Sequence, residues 1–148
     1  MHLSVIIPVY NERATIIQVL DRVAAIGLEK EVIVVDDFST DGTRAILEAR
    51  RDGTFTLLLH GQNQGKGAAL RTGFRHARGD FVIIQDADLE YDPSDFSKLL
   101  AVVSNKNASA VYGSRLATSQ PTMTFRHLVG NRLLTGLTNL LYGSKLTD

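Results

Sequence analysis

Phe81-Val82-Ile83-Ile84-Gln85-Asp86-Ala87-Asp88-Leu89-Glu90 is the stretch that decides how this chain is read. Behind the turn signal Gly79-Asp80, the apolar run Phe81–Ile84 predicts a central strand. That strand leads directly into acidic residues. Side chains alternate along an extended segment, so Asp86 and Asp88 are expected to project to one side. Two carboxylates that close repel unless a cation or a proton lies between them. At neutral pH a hard divalent cation satisfies them, binding through oxygen and leaving positions open for phosphate oxygens. Asp92 and Pro93 follow as an N-cap and a first helical residue, which pins the acids between a strand and a helix. An Asp-x-Asp pair by itself is more often a solvated acidic loop, so the neighbouring segments have to decide.

Upstream, Leu3–Val9 is a β-branched strand, with Pro8 weakening its pairing near the C-terminal end. Asn11 is read as the cap of a helix whose apolar face carries Ile16, Ile17, Leu20, Val23 and Ala24. Gly27 closes that helix. The segment 31–35 is a second strand, near-continuously apolar and therefore buried on both faces. It runs into Asp36-Asp37, and Asp41 caps a helix through about Arg51. Phe55–Leu59 is a third strand, followed by the glycine-rich loop Gly61–Gly67 and a helix over Ala68–Arg78. Downstream of the acidic loop come a helix over Ser94–Ser104, a fifth strand over Ser109–Tyr112 ending at Arg115, and a last helix from Phe125 to about Tyr142.

Strands alternating with helices predict an α/β fold, a three-layer α/β/α sandwich around a mostly parallel sheet. At 148 residues the chain is long enough for one domain with a real core. A hydrophobic fraction of 44%, a charged fraction of 22% and zero formal net charge are ordinary for a globular protein and give no field for nucleic acid. There is no cysteine, so disulfides and thiolate metal sites are excluded. No apolar run approaches the ~20 residues of a membrane span, and no signal-like segment precedes the first strand.

In open parallel sheets, ligands bind beyond the C-terminal strand ends. Those ends here carry Tyr10-Asn11-Glu12, Asp36-Asp37, the glycine-rich loop, Asp86-Ala87-Asp88 and Arg115. The segments VIIPVYNE, VIVVDDFSTDGT, NQGKGAALRTG, DADLEYDP and VYGSR, in this order, resemble the family 2 glycosyltransferases of the A-type nucleotide-sugar fold. The subgroup they are most similar to is the polyprenyl-phosphate sugar transferases, which resemble dolichol-phosphate mannose synthase.

That resemblance implies roles residue by residue. Pro8, Tyr10 and Glu12 line the nucleoside pocket, and Asp37 accepts a hydrogen bond from the base. Asp86 holds the ribose or the metal. Asp88 and Glu90 bind a divalent cation, Mg2+ or Mn2+, which bridges the donor diphosphate. Lys66 contacts the donor, and Arg115 and Arg126 hold the acceptor phosphate. With Asp88 and Arg115 as its catalytic residues, the implied reaction is an inverting, metal-dependent transfer of a hexose. The donor is a nucleoside diphosphate sugar of the GDP-mannose or UDP-glucose type, and the acceptor is a polyprenyl or dolichyl phosphate. The expected setting is the cytoplasmic face of a membrane, with peripheral contact and no nucleic acid.

The family usually continues beyond the Leu-Thr-Asp at the end of this sequence. Residues 1–115 are therefore read as the donor part of a single domain, and 116–148 as an incomplete acceptor part. Two other functions stay open: transfer to a sugar hydroxyl, and a non-catalytic nucleotide-sugar-binding fragment. A phosphoreceiver domain is disfavoured, because its acid pair follows strand one rather than strand two. Lys66 is followed by Gly67 instead of Ser or Thr, which argues against a nucleotide-triphosphatase loop. His60 and His76 are read as ordinary residues. Leu128, Leu133, Leu134, Leu137, Leu140 and Leu141 are read as core, the alternative being a helix lying in a membrane interface.

Overall fold

The computed structural model describes residues 2–106, 110, 111, 113 and 125–143. The chain divides into two compact units, Met1–Leu100 and Ala101–Asp148. In the first unit, strands β1 (Leu3–Val9), β2 (Lys30–Asp36), β3 (Thr56–Leu59) and β4 (Phe81–Ile84) form one sheet of order β3-β2-β1-β4. Every pairing is parallel. Parallel neighbours need crossovers, and these are α1 (Ile16–Ala25), α2 (Thr43–Ala49) and α3 (Lys66–His76).

Alternation along the strands sorts the apolar residues onto two faces. Leu3, Val5, Ile7 and Val9 of β1 join Val32 and Val34 of β2 on one face, under Ile16, Val19, Leu20 and Val23 of α1 and Leu47 of α2. On the other face, Ile33 and Val35 pack with Ala69 of α3. Both faces of β1 and β2 are thus covered, which is why their sequences read as continuous apolar runs. The close approach of α3 depends on Gly73, where a Cβ would meet Cγ2 of the fully buried Ile6 at 2.5 Å.

Several expectations need correction. Among the described residues β4 is the last strand of the sheet rather than a central one. Phe81 and Ile83 pack onto the core, whereas Val82 and Ile84 are exposed. Asn11 does not cap α1, which starts later, behind Thr15. Asn11 instead has a left-handed backbone (φ 56°), a region Asn tolerates. Its amide N–H donates to Ser39 Oγ (2.9 Å), and its side-chain oxygen accepts from the Thr40 N–H (2.8 Å), so it joins the loops after β1 and β2. Asp92 does cap as expected, accepting from the Ser94 N–H at 2.9 Å ahead of a 3-10 turn, Pro93–Asp95.

Helix α4 follows over Phe96–Lys106, with Phe96 buried in the core. In the second unit, α5 covers Phe125–Tyr142, with the bounds expected. Leu134, Leu137, Leu140 and Leu141 are exposed rather than core. Ala110 and Val111 are not in a strand, and the rest of the expected fifth strand lies outside the described residues. Among the described residues no helix is long and apolar enough to cross a membrane.

Candidate active site

The C-terminal ends of β1, β2 and β4 open onto a pocket of about 340 Å³. Pro8, Tyr10 and Glu12 reach it from the end of β1, and Asp37 from the end of β2. Asn63, Gly65 and Lys66 enter from the glycine-rich loop and the start of α3. Asp86 and Asp88 complete it from the acidic loop. Seven residues singled out in the sequence are thereby brought together: Pro8, Tyr10, Glu12, Asp37, Lys66, Asp86 and Asp88. Glu90 does not line the pocket. Arg115 lies outside the described residues, and Arg126 belongs to α5 in the second unit.

The adjacent acids Asp36 and Asp37 divide their tasks. Asp36 is fully buried and structural: it accepts from Arg44 Nε at 2.6 Å and from the Ser39 N–H. Arg44 also lies 5.4 Å from the Phe38 ring centroid, which steadies a bulky residue at a positive φ of 66°. Asp37 turns the other way and gathers the glycine-rich loop. It accepts from the Gln64 N–H (2.9 Å), the Gly65 N–H (2.7 Å) and the ring of His60 (2.7 Å). Burial alone would raise its carboxyl. The Gln64 amide, His60 and the Gly65 amide outweigh burial and hold it below the ordinary aspartate value. Asp37 is therefore ionised at neutral pH and acts only as an acceptor.

The acidic loop is built by a turn, not by strand alternation. β4 stops at Ile84, and the buried Gln85 then clamps the loop. Its Nε2 donates to the Asp86 carbonyl (3.0 Å) and the Tyr91 carbonyl (3.2 Å). Leu89 adopts a left-handed conformation (φ 66°) and packs onto the core, which leaves Asp88 and Glu90 outside it. Asp88 accepts from the Glu90 N–H at 3.0 Å. Asp86 pairs with Lys66 across the pocket.

Of the three carboxylates expected to bind a metal, Asp86 and Asp88 line the pocket and Glu90 does not. Among the described residues no three His, Cys, Asp or Glu side chains converge closely enough to hold a metal ion by themselves. Leu89, between Asp88 and Glu90, has the positive φ that breaks strand alternation here. Asp86 and Asp88 do share its wall, and two carboxylates facing one cavity suit a hard cation that takes its remaining oxygens from a bound diphosphate.

His60, read from the sequence as ordinary, has contacts that its sequence position did not reveal. It is buried beside Asp37, just after a strand and before the glycine-rich loop. His76 remains ordinary, with Nδ1 2.9 Å from the Thr72 carbonyl one helical turn earlier.

Comparisons with known proteins bear on the sequence and the fold. The sequence is 33% identical over 152 residues to an undecaprenyl-phosphate 4-deoxy-4-formamido-L-arabinose transferase of Edwardsiella ictaluri, covering 98% of this chain and 46% of that protein. The chain thus spans about half the length of that curated relative. Among solved structures, it is similar to the mannosyltransferase PcManGT of Pyrobaculum calidifontis in complex with GDP-Man and Mn2+. The TM-score is 0.52 at 41% identity, over 58% of this chain and 27% of that one. S. aureus TarS 1–349 in complex with UDP superposes with a TM-score of 0.65 at 25% identity, over 81% of this chain and 40% of that one. Residues 4–147 match glycosyl transferase family 2. A parallel sheet with an acid-lined pocket at its strand ends and a family match along almost the whole sequence lead to one assignment: this chain belongs to glycosyl transferase family 2.

Proposed function

We propose that this chain carries the donor half of an inverting hexosyltransferase. It would move a hexose from a nucleoside diphosphate sugar, of the GDP-mannose or UDP-glucose type, to a polyprenyl phosphate. The observation that carries this reading is the single pocket in which Asp37 stands on one wall and Asp86 and Asp88 on another. An ionised, acceptor-only carboxylate suits the ring N–H of uracil or guanine. A carboxylate pair suits a cation shared with a diphosphate.

In this proposal Pro8, Tyr10 and Glu12 surround the nucleoside, Asp37 orients the base, and Lys66 neutralises diphosphate charge. Asp86 and Asp88 would hold Mg2+ or Mn2+, which when bound stabilises negative charge on the leaving diphosphate. Arg115 and Arg126 are assigned to the acceptor phosphate on the strength of the family resemblance. A phosphate monoester has its second pKa near ~6, so the acceptor is largely ionised at neutral pH. It therefore needs orientation more than a general base. The name of the E. ictaluri relative supports a polyprenyl-phosphate acceptor, and the ligands of PcManGT and TarS support a nucleotide donor. Membrane contact is part of the proposal, because such an acceptor resides in lipid.

The test supplies the chain with labelled UDP-glucose or GDP-mannose, Mn2+ or Mg2+, and undecaprenyl phosphate in detergent. Label passing to the lipid fraction supports the proposal. Label passing only to sugar hydroxyls would replace it with glycan elongation.

A further inference from the structure

We infer that His60 is a positioning residue of the donor pocket, tying Asp37 to helix α3 so that the glycine-rich loop is ordered before the donor arrives. This rests on the donor reading above and adds to it a residue that touches no substrate.

His60 is 8% exposed and fixed at both its main-chain groups. Its N–H donates to the Asp36 carbonyl at 2.9 Å, and its own carbonyl accepts from Arg44 Nη2 at 2.8 Å. The ring then bridges two elements. Nδ1 lies 2.7 Å from Asp37 Oδ1 and Nε2 lies 2.9 Å from Thr72 Oγ1. An ionised Asp37 only accepts, so the hydrogen-bond network assigns the proton to Nδ1. In the neutral ring Nε2 then accepts from the Thr72 hydroxyl.

Residues 61–67 are all exposed, so no apolar burial holds them. The Gln64 and Gly65 amides donate to Asp37. The Lys66–Asp86 pair and the Gly65 carbonyl, which accepts from the Ala68 and Ala69 N–H groups of α3, also hold the loop. Thr72, His60, Asp37 and Gly65 thus form a relay from the middle of α3 back to the residue just before its first turn. With His60 in place, Asp37 has one orientation, and Asn63, Gly65 and Lys66 are presented to the pocket together. Without it, a buried carboxylate keeps only the two loop amides and loses its tie to α3, so binding a donor must also order the loop.

His60→Asn and His60→Gln separate positioning from mere core filling. An asparagine amide reaches the place of Nδ1 and still donates to Asp37, whereas a glutamine amide reaches the place of Nε2. Binding of UDP and GDP with Mg2+ is measured by calorimetry, melting temperature by circular dichroism, and amide exchange at Gln64 and Gly65 by NMR. The expected result is His60→Asn within about threefold of wild type and His60→Gln weaker by about tenfold or more, the scale of one charge-assisted hydrogen bond. Exchange at Gln64 and Gly65 should be faster in His60→Gln than in His60→Asn at similar melting temperature. Equal affinities and equal exchange in the two variants would overturn the inference, as would losses that merely track melting temperature. Failure of the wild-type chain to bind either nucleotide would contradict the donor reading instead. Exchange at Gln64 and Gly65 would then still decide whether His60 orders the loop.

Discussion

Nζ of Lys66, at the first position of α3, lies 2.7 Å from Oδ1 of Asp86, in the acidic loop two residues after β4. The pair spans the pocket. It is a contact of charge without an aligned hydrogen bond, since the same oxygen has no hydrogen-bond partner by geometry. Lys66 is 59% exposed in its side chain and Asp86 21%, so the pairing adds little to stability. Its consequence is for ligands: a lysine held over a carboxylate can exchange that partner for a diphosphate. Lys66→Met should weaken UDP binding by roughly fivefold to tenfold, the scale of one partly exposed charged contact. It should leave uridine affinity unchanged and stability within about 0.5 kcal/mol. Calorimetry with the two ligands checks this, and an equal loss for uridine would remove Lys66 from the diphosphate.

Asp37 predicts an acid-sensitive fold. Its carboxyl is held below the ordinary 3.8 in the folded state, so near that value the unfolded chain binds more protons than the folded one. Stability is therefore fully present above about pH 4 and falls as pH drops through the lower, folded value. Urea unfolding between pH 6 and 2 should show this slope, and Asp37→Asn should flatten part of it. The same contacts make Asp37→Ala a folding variant as well as a binding one. It strands His60 and the Gln64 and Gly65 amides, at a cost of about 1–3 kcal/mol.

Gly73 and Gly67 lie on the same helix and should respond oppositely to alanine. At Gly73 the added methyl would collide with buried Ile6, and overpacking of this kind costs about 1–3 kcal/mol. At Gly67 the nearest atom is Arg71 Nη1 at 3.7 Å, at the far end of a flexible side chain, so helix propensity favours alanine by up to about 1 kcal/mol. Thermal unfolding of the two variants checks the difference. An unaffected Gly73→Ala would mean that α3 does not pack on the sheet this closely.

The fold was legible because burial on both faces leaves unbroken apolar runs, as in β1 and β2, while Asp92 and Pro93 mark a helix start by local chemistry. The pocket was legible in outline because strand ends carry its acids. Non-local pairing was not legible. Nothing in the order of residues says that Asn11 meets the Ser39–Thr40 loop, or that His60 pairs with Asp37 rather than facing solvent. Nor does alternation reveal that β4 stops at Ile84 and that Leu89 takes a left-handed backbone. Such facts depend on backbone conformations that several residue types can adopt, and tertiary contacts select among them.

The proposed function requires a nucleoside diphosphate sugar in the pocket lined by Asp37, Asp86 and Asp88. The most direct measurement is calorimetric titration of the folded chain with UDP-glucose and GDP-mannose, in Mn2+ and in excess chelator, repeated with Asp88→Asn. The predicted result is saturable one-to-one binding of at least one donor that is lost in chelator and weakened by about tenfold or more in Asp88→Asn, where a charged ligand becomes neutral. Donor affinity that is the same with chelator and in Asp88→Asn, or no binding of any nucleoside diphosphate by the folded chain, would contradict it.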